Sequence, residues 1–170
     1  IFHDKNAGKG AALRSGFKNV SGDWIVIQDA DLEYDPNDFK SMIAIASATG
    51  AQVIYGSRRL NHSYFVSRHS GRIFALGGIF LTWLTNILYG TKITDEPTCY
   101  KMFRTDLLEK IDLRCQRFEF CPEFTAKVAK AGIKIHEAPI NYYPRRKNEG
   151  KKINWKDGLE AIWTLLKNRF

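Results

Sequence analysis

The chain has 170 residues, 44% of them hydrophobic and 26% charged, a balance that fits a folded globular domain and makes disorder a poor default. A formal charge of +8 and a pI near 9.4 call for an anionic partner: nucleic acid, anionic lipid or a phosphorylated small molecule. Cys99, Cys115 and Cys121 show no C-x-x-C spacing and no histidine stands at ligand spacing beside them. That argues against a disulfide framework or a zinc site and suits a reducing compartment.

The opening "IFHDKNAGKG" has no leader-like pattern and reads as the end of a strand already under way, so further sequence is expected upstream. "GKGAALRSGFKNV" follows, with Leu13, Phe17 and Val20 at helical spacing. "DWIVIQ" has the length and branching of a buried strand. Asp35-Pro36 reads as an N-cap and first helical residue, with Phe39, Met42, Ile43 and Ala46 as the buried stripe and Gly50 as the stop. "QVIYG" makes another strand, and this helix–strand alternation predicts an α/β sheet with crossover helices.

A polar stretch leads into an apolar run from Ile73 to Tyr89, near the short end of what crosses a bilayer, about 20 residues. Thr82, Thr85 and Asn86 interrupt it, so a buried or membrane-facing helix is expected rather than a span. "CYKMFR" reads as a strand, Thr105 as the cap of a helix through "DLLEKI", and "PEFTAKVAKAG" as a helix from Pro122 to Gly132. The strand "IKIHEAPI", the basic loop "NYYPRRKNEGKK" and an amphipathic helix with Leu159, Ile162, Trp163 and Leu166 on one side complete the chain. With no repeat or linker, residues 1–170 read as one domain.

Chemistry gathers in three places. "VIQDADLEYDP" sets Asp29, Asp31, Glu33 and Asp35 at the end of an apolar strand, where open α/β sheets bind ligands. On an extended chain Asp29 and Asp31 point the same way and could share a divalent ion bridging to a diphosphate, although D-x-D alone more often marks a solvated acidic turn. "RRKNEGKK" could grip phosphate or be a solvated charge run, and Asp95 and Glu123 each have a plain reading as turn or helix-end residues.

Taken in order, "KNAGKGAALRSGF", "GDWIVIQDADLEYDP", "VIYGSR", "LYGTKITDEPTCYKMFR", "PEFTAKVAKAGIKIHEAPINY" and "RRKNEGKKINWKDG" resemble the family-2 inverting glycosyltransferases, in the branch of dolichyl-phosphate mannosyltransferase and bacterial polyprenyl-phosphate sugar transferases. The resemblance implies a GT-A fold: a Rossmann-like, mixed and mostly parallel sheet flanked by helices, here lacking its first segment. It implies an enzyme moving a hexose from a GDP- or UDP-sugar to a polyprenyl phosphate with Mg2+ or Mn2+.

By the same resemblance Asp31 is the more direct metal ligand, with Asp29 near the nucleotide. Lys9 and Gly10 lie on the nucleotide side, Arg58 and Arg68 face the acceptor phosphate, and Asp95 is the catalytic base. Arg145 with Lys151 or Lys152 closes over the donor diphosphate. A lipid phosphate is largely anionic at neutral pH and scarcely needs a base, so Asp95 could instead orient the acceptor or the metal.

The "PxYNE"-type opening segment that holds the nucleotide base has no match, so this stretch by itself is expected to bind nucleotide poorly and turn over little. Pro97 restricts the backbone beside Asp95. The expected setting is the cytoplasmic face of a membrane, held peripherally on an anionic surface, with no nucleic-acid partner and the oligomeric state, a homo-oligomer included, left open. The alternatives are a transferase with a hydroxyl acceptor in polysaccharide or glycolipid synthesis, and a non-catalytic nucleotide- or membrane-binding relative.

Overall fold

The computed structural model describes residues 1–61, 72–145 and 154–170. In chain order the elements are α1 (Lys9–Phe17), β1 (Trp24–Val26), a 3-10 turn (Pro36–Asp38), α2 (Phe39–Thr49), β2 (Val53–Ser57), α3 (Arg72–Tyr89) and β3 (Lys101–Arg104). A second 3-10 stretch (Thr105–Glu109), α4 (Phe120–Lys130), β4 (Ile135–Pro139) and α5 (Trp155–Arg169) follow. The strands order as β1-β3-β2-β4. The sheet is mixed, as expected, and β1, β2 and β4 share one direction. β3 lies between β1 and β2 and runs against both, which leaves β2–β4 as the parallel pairing.

Alternation along the strands feeds two cores. Ile25, Val53, Tyr55 and Phe103 face one side with Phe120, Phe124 and Val128 of α4, and Leu13 and Phe17 of α1 pack against them. Ile54, Met102, Ala138 and Ile140 face the other side with Met42 and Ala46 of α2 and the rings of Tyr34 and Tyr100. Phe103 and Phe124 lie 4.6 Å apart by ring centroid, and Phe17 meets Phe103 edge-on at 5.8 Å.

Local chemistry sets the ends. Asp35 accepts from the Asn37 amide at 2.9 Å ahead of α2, and Gly50 closes that helix at φ 65°. Helix α1 has no side-chain cap. Its Gly10 and Ala11 amides donate instead to the carbonyls of Arg117 and Gln116 at 3.1 and 3.0 Å. Asn154 and Asp157 form a capping box at the start of α5.

The structure corrects the expected faces of α1 and α2 and makes those of α3 and α5 definite. Ile43 is exposed while Met42 and Ala46 are buried, and α1 stops short of Val20. Thr105 does not cap a helix; its hydroxyl donates to the Gly22 carbonyl at 2.5 Å, and a 3-10 turn follows. In α5 it is Asp157, Ala161, Thr164 and Leu165 that are buried, and Leu159 and Trp163 face out. In α3, Thr82 and Thr85 are buried whereas Leu76, Ile79, Phe80, Trp83 and Ile87 are exposed. Among the described residues no helix is long and apolar enough to cross a membrane.

Candidate active site

At one end of the sheet three carboxylate centres each hold a basic side chain. The first is Asp29, whose two oxygens accept from Lys9 Nζ at 2.7 and 2.9 Å. Burial alone would lower the Lys9 pKa, but the Cys99 and Cys121 sulfurs and the Asp29 carboxylate outweigh it and hold it above its ordinary range. Burial pushes the Cys99 thiol up to about 12. Lys9 reaches this site from the first turn of α1. Gly10 beside it serves packing: a Cβ there would lie 2.8 Å from the Cys115 carbonyl carbon.

The second centre corrects the extended-chain picture of Asp29 and Asp31. Strand β1 ends at Val26, Ala30 and Asp31 lie in a turn, and Leu32 adopts φ 59°, a strained value for a leucine. The two aspartates therefore engage different cations. Asp31 Oδ2 accepts from Arg145 Nη2 at 2.8 Å, and the Arg145 Nε lies 3.3 Å from Glu33 Oε1. The Arg145 amide also donates to Glu33 Oε1 at 2.9 Å, and the Tyr142 hydroxyl donates to Glu33 Oε2 at 3.1 Å. A Tyr34–Tyr142 β-bridge and a 2.8 Å bond from the Tyr143 amide to the Glu33 carbonyl stitch the acidic turn to the segment entering the basic loop.

The third centre is Asp95, fully buried, whose carboxylate accepts from Arg58 Nε at 2.7 Å, Arg58 Nη2 at 2.8 Å and the Arg58 amide at 3.0 Å. Burial would raise its pKa, but the Arg58 guanidinium, its hydrogen bonds and the nearby Arg59 prevail and hold Asp95 below the usual carboxylate range. Arg58 in turn lies 5.0 Å over the Tyr142 ring, which joins this centre to the Glu33 side.

The segment carrying Asp95 is held by the polar side of α3. Thr82 Oγ1 accepts from the Glu96 amide at 3.1 Å, and Asn86 both donates to the Ile93 carbonyl and accepts from the Ile93 amide. Two of the residues that interrupt the apolar run, Thr82 and Asn86, thus grip the segment that carries Asp95, while Thr85 bonds back to the Leu81 carbonyl. A Cβ at Gly78 would lie 3.1 Å from Arg59 Nη2, the far end of a flexible side chain. Arg59 Nη1 donates to the Thr94 carbonyl at 2.9 Å, and the Thr94 hydroxyl meets Ser57 at 2.6 Å. Glu96 is fully buried, its carboxyl pushed up by burial, and its Oε2 finds no partner among the described residues.

The fold therefore gathers Lys9, Asp29, Asp31, Arg145, Arg58 and Asp95 at one end of the sheet. Arg68, Lys151 and Lys152 lie outside the described residues. Two participants carried no assigned role from sequence: Glu33, noted only as part of the acid cluster, and Glu137, an acid within strand β4. Among the described residues no group of three or more His, Cys, Asp or Glu side chains is placed to hold a metal ion. The carboxylate oxygens of Asp29, Asp31 and Glu33 are the hard donors that Mg2+ and Mn2+ take, and Lys9 and Arg145 occupy them here.

Known proteins share both fold and sequence with this chain. The glucosyl-3-phosphoglycerate synthase of Mycobacterium tuberculosis, solved with Mn2+, UDP and phosphoglyceric acid, superposes over 95% of this chain and 54% of its own with a TM-score of 0.67 at 18% identity, which shows the GT-A-like fold. The low-salt glycan biosynthesis hexosyltransferase Agl6 of Haloferax volcanii is 27% identical over 99% of this chain and 40% of its own length. The undecaprenyl-phosphate mannosyltransferase of Micrococcus luteus is 28% identical over 95% of this chain and 72% of its own. A dodecaprenyl-phosphate galacturonate synthase of Rhizobium johnstonii is 24% identical over 86% and 41%. The chain spans about two fifths of the length of the Haloferax and Rhizobium relatives. The profile described as Glycosyl transferase family 2 matches residues 1–112, most of the chain, and the chain belongs to that family.

Proposed function

We propose that residues 1–170 work as one catalytic domain, or the larger part of one, of an inverting glycosyltransferase that moves a hexose from a nucleoside-diphosphate sugar to a polyprenyl phosphate. The observation that carries this reading is the state of Asp95. It is buried, ion-paired through three hydrogen bonds to Arg58, and held below the usual carboxylate range, all of which make it a weak proton acceptor. A hydroxyl acceptor needs a base; a phosphate monoester, with a second pKa of about 6, is already nucleophilic at neutral pH. Asp95 therefore orients Arg58, and the Arg58 guanidinium takes the acceptor phosphate. Two relatives are named for polyprenyl-phosphate acceptors, which supports the same choice.

Lys9 and Arg145 serve the donor diphosphate, with Gly10 shaping the turn that carries Lys9, and Arg68, Lys151 and Lys152 extend the basic lining by resemblance. Asp31 and Asp29, with Glu33, would hold a divalent ion once Arg145 turns from Asp31 and Glu33, and Lys9 from Asp29, to the phosphates. When bound, that ion neutralises charge on the departing nucleoside diphosphate. Related structures were solved with Mn2+ or Mg2+ and with UDP, which supports the ion and a uridine donor over a guanosine one. The outward stripes of α3 and α5, with Trp83, Trp155 and Trp163 exposed, suit peripheral seating on the anionic cytoplasmic leaflet.

The test is transfer from radiolabelled UDP-glucose, UDP-galacturonate and GDP-mannose by the full-length protein with Mn2+, offered farnesyl phosphate or farnesol. Label passing to the phosphate and not the alcohol is expected. Transfer to farnesol, or to neither acceptor from any donor, would refute the phosphate reading.

A further inference from the structure

Glu137 stands in the middle of β4, paired in register with Tyr55 of β2. Its neighbours in the strand are Ile135, His136, Ala138 and Pro139, and a carboxylate among them needs a reason. Its oxygens go to two backbone amides of one segment: Oε1 accepts from Thr94 at 2.9 Å and Asp95 at 3.2 Å, and Oε2 accepts from Thr94 at 2.8 Å. Among the described residues it makes no ion pair.

The charge is also badly placed for stability. Burial is the largest influence on Glu137 and raises its pKa, the Asp95 carboxylate adds repulsion, and the amide donors only partly offset both. An anion set beside another anion, with no cation of its own, is retained at a cost in free energy. What it secures is the backbone at 94–95. The same segment is fixed from two other sides, by Arg59 on the Thr94 carbonyl and Ser57 on the Thr94 hydroxyl, and its far end presents the Asp95 carboxylate to Arg58.

We propose that Glu137 is a positioning residue: from β4 its carboxylate fixes the Thr94–Asp95 amides so that Asp95 aims the Arg58 guanidinium at the acceptor phosphate. This rests on the phosphate-acceptor reading of Arg58 and Asp95. It assigns to a strand residue remote from the D-x-D turn a share in acceptor recognition and none in donor recognition. Backbone amides ordered by a carboxylate lose their register when it is truncated, and a guanidinium fork misaimed by a fraction of an ångström loses one of its two bonds to phosphate.

The test compares wild type, Glu137→Ala, Glu137→Gln and Arg58→Gln in the full-length protein. Equilibrium binding is measured for two probes, farnesyl phosphate and UDP with Mn2+. The inference expects Glu137→Ala to weaken farnesyl phosphate about tenfold, the loss of one charged hydrogen bond, and to leave UDP–Mn2+ within about twofold. Glu137→Gln keeps one acceptor oxygen for the two amides and falls between Ala and wild type. Amide exchange at Thr94 and Asp95 should quicken in the Ala variant in the same order.

Equal loss of both probes would mean a merely structural role and would overturn the inference. So would unchanged farnesyl phosphate binding in Glu137→Ala while Arg58→Gln weakens it, an outcome that leaves the phosphate-acceptor reading standing. If Arg58→Gln itself leaves farnesyl phosphate binding unchanged, that reading fails and the inference falls with it. Should Glu137→Ala fold poorly, Glu137→Gln carries the same comparison, and a variant indistinguishable from wild type in both binding and amide exchange overturns the inference.

Discussion

Arg145→Ala should tighten Mn2+ binding in the absence of nucleotide and weaken it in the presence of UDP. The Arg145 guanidinium sits 2.8 Å from Asp31 and 3.3 Å from Glu33, so an incoming ion must displace it or share the carboxylates with it. The side chain is about a third exposed, 34%, so its two contacts are screened by solvent. Exposed pairs are worth about 0.2–1 kcal/mol, which corresponds to Mn2+ affinity rising roughly 1.5- to 5-fold on removal of the guanidinium. The backbone contact from the Arg145 amide to Glu33 survives the substitution and keeps the turn in place. With UDP bound the sign reverses, because the guanidinium then has a diphosphate to neutralise. Free Mn2+ can be counted by its EPR signal during titration at low ionic strength, and the gain should shrink as salt rises. Unchanged or weaker Mn2+ affinity without nucleotide would show that Arg145 and the ion do not compete for these carboxylates.

Gly10→Ala should cost about 1–3 kcal/mol by urea denaturation, because the new Cβ meets backbone that cannot yield, less the gain in helix propensity. A cost under about 0.5 kcal/mol would remove the packing argument for that glycine. Asp95→Asn leaves the Arg58 guanidinium without its anion and should cost about 3–5 kcal/mol at pH 7. The folded pKa of Asp95 is depressed, so this contribution is fully present above the unfolded value of about 3.9 and is lost as pH falls through the lower folded value. The gap between variant and wild type should therefore close in acid, and a gap constant from pH 7 to pH 2 would contradict the assignment. Asn154→Ala removes the capping-box acceptor of the Lys156 amide and should cost about 0.5–2 kcal/mol, read from thermal denaturation.

The order and type of most elements were legible because their signals are local. Asp35-Pro36, Gly50 and the β-branched run before Asp29 each specify their neighbourhood within a few residues. Direction of facing was not. Apolar periodicity in α3 and α5 says that one side differs from the other, and inward burial is the usual result. Here Thr82 and Asn86 are turned inward by what they bind, the 91–96 segment, a demand invisible without the fold. The pairing of Glu33 with Arg145 spans 112 positions, so nothing near either residue announces it. The Asp29–Asp31 spacing was read on an extended chain, and the turn at Ala30 and Asp31 defeats that geometry. Glu137 had one signal, a charge within a strand, and the identity of its partners lay wholly in the tertiary structure.

Helix α3 has two faces put to different ends. Its outer side shows Leu76, Phe80, Trp83 and Ile87, and its inner side holds the chain that presents Asp95. The separation between them is one helix diameter, about 10–12 Å with side chains. A lipid phosphate lies at the level of the headgroups, so an enzyme resting on that outer side would meet its acceptor's reactive oxygen within arm's length of Arg58. On the phosphate-acceptor reading, the long isoprenoid tail would stay in the bilayer throughout, and no hydrophobic tunnel through the protein would be needed to bring a chain of many carbons to Arg58.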